Sequence, residues 1–176
     1  MALSSLSLVI RGIPAPKGSM RAAGNRVIPS GSPQNAIAQA DWGSCTRAAA
    51  IDALARADHA GRIAIVGHAI SLRIVWRLPR LRSHFVEKGP RAGELKATAP
   101  VLHMTKPDSS KLLRALEDHL TGLVWDDDSR VAITAMRKIY ANPGEEGAVV
   151  AIEAVNKITG FPLYDLASPG EIAEAA

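Results

Sequence analysis

The stretch between Ile65 and Pro79 constrains the fold more than any other part of the sequence, because apolar residues recur in it at every second position. Side chains of a β-strand point alternately to its two faces, so this period of two predicts a strand with one apolar and one polar face. We expect the strand to run from about Ile65 to Leu78 and to end at Pro79, which has no N–H to donate. Its apolar face carries Ile70, Leu72, Ile74, Trp76 and Leu78.

The elements around that strand predict one α+β domain with a mixed or antiparallel sheet and two main helices. An alanine-rich stretch from Gln34 to Ala57 predicts a helix, in which Gly43 is expected to cause a break or a bend. The glycine and proline content of residues 17–33 and 80–105 predicts a basic, flexible loop and a second long loop. The other predicted elements are strands at 6–12, 130–140 and 147–155, a short helix at 109–120 and a tail at 161–176 that follows a domain of residues 1–160.

Composition limits the possible functions without selecting one. Hydrophobic residues make up 47% of the 176, which suffices for a buried core. The single cysteine, Cys45, excludes a disulfide framework and a cysteine-based zinc site within one chain. The net charge of +4 permits a polyanionic partner but does not require one. The N-terminus has no basic region and only a short apolar run, so we expect neither a signal peptide nor a membrane span, and a cytoplasmic location.

Acidic residues mark the segment that carries chemistry, Lys106 to Val131. Asp108 precedes a predicted helix that its carboxylate is expected to cap, and three aspartates, 126–128, precede the next strand. A chain that returns along the helix is expected to bring this triplet back beside Asp108. Clustered carboxylates are hard oxygen ligands suited to Mg²⁺ or Mn²⁺. Arg114 lies on the same helix face and is expected to stabilise the charge of a metal-bound phosphate.

A simpler interpretation of the same residues stays open at this point. Asp108 then serves only as a helix cap, and the aspartate triplet only as a polar turn. Arg114 and Asp118, four residues apart, then form a solvated ion pair on the helix surface.

The amino-acid sequence of this segment resembles that of a known protein family. From Lys106 the sequence reads K-P-D-x-x-K-L-x-R-A-x-x-D-x-L-T-G, then W-x-D-D-x-x-V, with a basic residue and a tyrosine on the following predicted strand. This is similar to the RusA family of Holliday junction resolvases, in particular to its branch in actinobacterial phages and prophages. With P-A-P-K-G-S near the start and R-L-P-R-x-x-S-H-F after the long strand, the resemblance spans most of residues 6–155. It implies a RusA-like fold and a homodimer in the bacterial host cell that uses Mg²⁺ to cut four-way DNA junctions symmetrically.

The resemblance also implies roles for individual residues. Asp108 falls on the first acid of the family's D-x-D motif, and Asp127 and Asp128 fall on its D-D pair. Together these three are the expected metal ligands, with Asp108 and Asp128 also catalytic. Arg114 stands where the family has a catalytic lysine or arginine. The residues expected to contact DNA are basic ones in and around the loops, namely Lys17, Arg21, Arg80, Arg82, His84, Lys106, Lys111 and Lys138.

One position departs from the family pattern. The second acid of D-x-D falls on Ser110, and a neutral hydroxyl is a poor ligand for Mg²⁺. Asp126 adds an acid beside the usual pair, which suggests it as a replacement. Three hypotheses follow: an active Mg²⁺-dependent endonuclease, a junction-binding protein of the same fold that Ser110 has disabled, and an α+β protein with no role in nucleic-acid binding.

Overall fold

The computed structural model describes residues 5–23, 26–30, 32–59 and 64–155, without the side chains of residues 19–30. The predicted tail at 161–176 lies outside the described residues. Two short 3-10 turns, Arg82–His84 and Asp128–Arg130, accompany the regular elements. In chain order these elements are β1 (Ser5–Arg11), β2 (Ser19–Ala23), β3 (Arg26–Ser30), α1 (Pro33–Arg56), β4 (Ala69–Leu78), α2 (Ser109–Leu120), β5 (Val131–Tyr140) and β6 (Gly147–Val155).

Four strands form one mixed sheet in the order β1-β6-β4-β5. The β6 strand runs antiparallel to both of its neighbours, β1 and β4, whereas β4 and β5 are parallel. This arrangement confirms the α+β class and the mixed sheet. The strand predicted from the alternation is β4, which lies inside the sheet but begins at Ala69 rather than Ile65. Gly67, at φ +74°, makes a turn just before it, and Ile65 forms only an isolated bridge with Trp125.

The core lies on one face of this sheet, and both helices pack there. Alternate residues of β1 are buried on that face, as are the apolar residues of β4 predicted above. Trp42 of α1 and Trp76 of β4 are almost fully buried, with ring centroids 6.3 Å apart. The opposite face of the sheet is called the outer face below. Its residues Val75 and Val149 do not belong to the hydrophobic core.

Two predictions about the first half of the chain are wrong. Residues 17–33 are not simply a loop, since β2 and β3 pair within them as an antiparallel hairpin. The α1 helix is also continuous through Gly43. This glycine is buried because the His119 ring of α2 lies over it, and an added Cβ would sit 2.5 Å from His119 Cε1. Gly43 therefore allows close helix packing. No helix within the described ranges is long and apolar enough to cross a membrane.

Candidate active site

The α2 helix begins immediately after Asp108 and buries Leu112, Leu116 and Leu120 against the sheet. Asp108 has extended backbone angles, and its carbonyl oxygen accepts the first helical hydrogen bond from the N–H of Leu112 at 3.1 Å. The predicted carboxylate cap is wrong, because the side chain makes no capping hydrogen bond. The Asp108 side chain is 56% exposed, with Lys111 Nζ at 3.8 Å from one carboxylate oxygen. Its oxygens are therefore directed to solvent rather than used for the helix.

Lys138 of β5 holds the segment that leads into Asp108. Its ammonium donates to the carbonyl oxygens of Thr105 and Pro107 at 2.7 and 2.8 Å. The backbone of β5 also binds this segment, since Tyr140 N–H donates to Val101 O at 2.9 Å and His103 N–H donates to Lys138 O at 3.0 Å. Lys138, predicted to contact DNA, is thus engaged inside the protein as a support for Asp108.

Residues of the long loop pack around the ring of Tyr140. The rings of His84 and His103 each lie with their centroids 4.5 Å from that of Tyr140, and the Arg80 guanidinium carbon is 5.7 Å away. Both histidines are buried, with 9% and 8% exposure. Arg80 also donates to the carbonyl of Pro100 at 2.9 Å. Two of the predicted DNA contacts, Arg80 and His84, therefore help to build the loop that precedes Asp108.

Acid should weaken this cluster. Burial, aided by the charge of Lys138, lowers the pKa of His103 below its usual 6.5. Below about pH 6.5, His103 therefore binds a proton more readily in the unfolded chain than in the folded chain. The free energy of unfolding consequently falls as pH decreases. We expect His103→Gln to lose less stability than the unmodified protein between pH 7.5 and pH 5.5, measured by urea unfolding. His119, whose pKa burial also lowers, remains in both proteins. Equal losses would contradict this role for His103.

The other acids lie in the turn between α2 and β5. Asp127 Oδ1 accepts the Ser129 N–H at 2.8 Å, and hydrogen bonds from the hydroxyl and backbone of Ser129 lower the pKa of Asp127. Asp126 is paired with Arg130, whose Nε and Nη2 lie 2.6 and 2.8 Å from its two carboxylate oxygens. Since both oxygens of Asp126 are engaged, the structure does not favour it as a replacement for the acid missing at Ser110.

Glu117 is an acid of the site that the sequence analysis did not identify. Burial raises its pKa, and the charge of Asp128 raises it further, while the charge of Arg114 lowers it. Glu117 thus faces the aspartate turn from the last part of α2. The spacing contained the signal, because positions 110, 114 and 117 share one face of a helix.

Asp108 and Asp128 lie at opposite ends of the site within one chain. Asp108 follows Pro107, which is held by Lys138, whereas Asp128 lies just before Val131. The seven residues between Val131 and Lys138 cover about 23 Å of strand. Two ligands of one Mg²⁺ are separated by at most about 4 Å. The expectation that one chain folds the triplet back beside Asp108 is therefore wrong, and the described residues contain no group of three metal-binding side chains.

The family model described as endodeoxyribonuclease RusA matches residues 45–153, which include α2, all the acids above and the strands that hold them. The chain belongs to the RusA endodeoxyribonuclease family. No curated protein matches it. RusA proteins are endonucleases that resolve Holliday junctions and in general depend on a divalent metal ion.

The acidic side chains fit such an ion in chemistry, although not as a complete set in one chain. Mg²⁺ prefers oxygen ligands and is usually held by one or two carboxylates, with water and phosphate oxygens completing the shell. At one end of α2, Asp108 offers a carboxylate that makes no capping hydrogen bond. Asp128 offers another at the opposite end, beside Glu117. Each end therefore offers carboxylate oxygens of the kind that a divalent cation binds.

Asp118 and Arg114 do not form the ion pair of the simpler interpretation. Asp118 instead pairs with Lys17, whose backbone N–H also donates to the Lys111 carbonyl at 3.0 Å. Lys17, predicted to bind DNA, thus anchors the N-terminal loop on α2. Arg114 is exposed, and within the described ranges it has no ion pair; its charge acts on Glu117. Its guanidinium group is therefore available to a ligand at the protein surface.

The remaining predicted DNA contacts differ in accessibility. Arg82 and Lys106 are exposed, and Lys111 is half-buried beside Asp108. The side chain of Arg21 lies outside the described part, and its backbone belongs to β2. Arg82 lies near the start of the loop that packs around Tyr140, and Lys106 lies just after its end, two residues before Asp108.

Proposed function

We propose that this RusA protein is a homodimeric, Mg²⁺-dependent endonuclease that nicks four-way DNA junctions. The observation that carries the proposal is the Asp108 carboxylate at the start of α2, which makes no capping hydrogen bond. The loop that Lys138 and Tyr140 hold in place supports it. A residue used only as a helix cap would bind the first N–H groups of the helix, and this one does not. Residues 1–160 form the catalytic domain of the proposal, and residues 161–176 are its tail.

In this proposal Asp108, Asp127 and Asp128 would hold the ion, which when bound would polarise a phosphate oxygen and lower the pKa of a water. Arg114 donates to the phosphate and stabilises the charge that develops on it. Glu117, whose pKa is raised by burial and by the charge of Asp128, would accept a proton at this end of the site. Mn²⁺ suits the same oxygen donors.

The dimer follows from the separation of the acids. Asp108 and Asp128 of one chain are too far apart to share an ion, which supports a second copy that brings the two ends together. A two-fold dimer creates two equivalent sites, each with Asp108 from one protomer and the aspartate pair from its partner. Two symmetric sites suit two symmetric nicks in a four-way junction, as expected for a phage or prophage protein that acts on branched DNA in the cytoplasm of its host.

Mixed dimers test this arrangement. We expect Asp108→Asn and Asp128→Asn each to abolish nicking of a synthetic four-way junction when assayed alone. In a heterodimer of the two variants, one shared site carries both substitutions and the other carries neither. Purified heterodimer should therefore recover about half the nicking of the unmodified dimer. All chains carry Ser110→Asp so that the assay does not depend on the activity of the serine form.

The control is a heterodimer of Asp108→Asn with an unmodified chain, which also retains one intact site and should match the recovered activity. A mixed dimer as inactive as its parents would show that each site is built from one chain. Absence of nicking in every Ser110→Asp dimer would contradict the endonuclease proposal itself.

A second function is favoured by Ser110, which lacks the charge expected at that position. The same fold without a competent metal site would bind and shield junctions without cutting them. Its observable signature is junction binding by the unmodified protein together with Mg²⁺-dependent nicking that appears only after Ser110→Asp.

A further inference from the structure

The outer face of the sheet carries an arginine cluster that the active site does not use. Register places Arg11 of β1 and Arg77 of β4 opposite the same residue of β6, Gly147. Gly147 contributes no side chain between the two arginines. Strands lie about 4.8 Å apart, so the two Cα atoms are separated by about 10 Å.

These two arginines lack carboxylate partners within the described ranges. Arg73, further along β4, is engaged differently, since its Nη2 lies 3.1 Å from Glu153 Oε1. Arg137 of β5 shares the outer face, because it pairs with Val75 in register, and it is exposed. The four strands therefore present four arginines and one glutamate on this face, with the glutamate neutralising Arg73.

A cleft lies beside the pair of arginines. It has a volume of about 580 Å³, and its lining combines outer-face residues of β1 and β4 with residues of α1. Its lining includes Arg11, Arg77, Val9, Ala49 and Asp52. Asp52 does not cancel the positive charge, because its carboxylate is paired with Arg56 at 2.9 Å. Arg11 and Arg77 therefore both line this cleft.

We infer that the outer face binds the sugar-phosphate backbone of a DNA duplex arm, through Arg11 and Arg77. Guanidinium groups bind phosphate with two parallel hydrogen bonds, and duplex DNA offers phosphates densely along both strands. The position of the two arginines within the sheet supports this binding surface. The strands β1, β4 and β5 are mutually parallel, so Arg11 and Arg77 lie at the same end of the sheet as Lys138, which holds the loop before Asp108. A duplex arm on this face therefore leads toward the proposed site. The inference rests on the proposed function, since it assigns a further contact for the same DNA.

Salt-dependent binding tests the inference. The double variant Arg11→Gln and Arg77→Gln is titrated against a labelled synthetic four-way junction over a range of KCl concentrations. We expect the slope of log K against log salt to decrease by about one for each arginine removed. Affinity at 0.1 M salt should fall about tenfold per arginine. The double variant Arg11→Lys and Arg77→Lys keeps both charges and should retain the slope, which also guards against an unfolded glutamine variant.

Arg91→Gln serves as the charge control, because Arg91 is exposed and already paired with Glu94 at 2.6 Å; its slope should be unchanged. An unchanged slope in the glutamine double variant, with the unmodified chain still binding junctions, would overturn this inference and leave the proposed function intact. If light scattering shows that the glutamine variant dissociates with no change of slope, the face is an interface between copies, and the inference is again overturned. Failure of the unmodified chain to bind any junction would overturn both.

Discussion

Replacing Gly147 by alanine is expected to prevent the domain from folding. A Cβ at this position would lie 1.9 Å from the carbonyl oxygen of Ile10 and 3.0 Å from its carbonyl carbon. Both atoms belong to the backbone of β1, which cannot move aside without breaking its pairing with β6. Gly147 also has φ +154°, a conformation that favours glycine. The expected cost exceeds about 4–5 kcal/mol, a large part of the ~5–15 kcal/mol that stabilises an ordinary domain.

Gly144→Ala is the matched control for that variant. Gly144 also has a positive φ, +85°, but nothing lies within 4 Å of its added Cβ. It therefore carries only the backbone strain, about 1–2 kcal/mol. Urea unfolding followed by circular dichroism should show a folded Gly144→Ala protein with a lowered midpoint, and no cooperative transition for Gly147→Ala. A Gly147→Ala protein with an unchanged midpoint would show that β1 and β6 pair differently.

Replacing Ser110 by aspartate is expected to raise Mg²⁺-dependent nicking of a four-way junction by on the order of 10²-fold. Ser110 is exposed near the start of α2, two residues from Asp108 and one turn before Arg114. The new carboxylate supplies the charge that the family motif has at this position. It also lies in the first turn of the helix, where negative charge is favourable, so we expect no loss of stability. The measurement is an initial nicking rate across a Mg²⁺ titration.

Ser109→Asp is the control, because it adds the same charge to the same helical turn at a position rotated by about 100°. It should not raise nicking. If the serine form already cuts at low Mg²⁺ and the aspartate form is no faster, Ser110 is not a vacated ligand position. Glu117 is then the first candidate to complete the site, since Arg130 engages both oxygens of Asp126.

Local pattern determined much of the fold. The alternation in β4 and the leucine spacing in α2 are periodic signals that burial on one face imposes directly. The limits of α2 and the end of β4 were predicted correctly, whereas β4 begins at Ala69 rather than Ile65. The acidic segment of residues 106–131, which the family match includes, was likewise noticeable in the sequence, because its acids and Arg114 are close together in the chain. The hairpin of β2 and β3 was not predicted, since its strands are short and interrupted by residues typical of loops.

Tertiary structure alone decided how the acids are distributed. After α2 the chain makes a tight turn, in which Val124 N–H donates to Leu120 O at 2.8 Å and Gly122 N–H donates to Trp125 O at 2.7 Å. This turn keeps the aspartate triplet at the end of the helix, and the chain returns toward Asp108 only along β5, after the acids have passed. Sequence spacing cannot reveal such a path, because it depends on the pairing of β5 with β4. The same pairing, with β6 between β1 and β4, brings together Arg11 and Arg77, residues 66 positions apart in the chain.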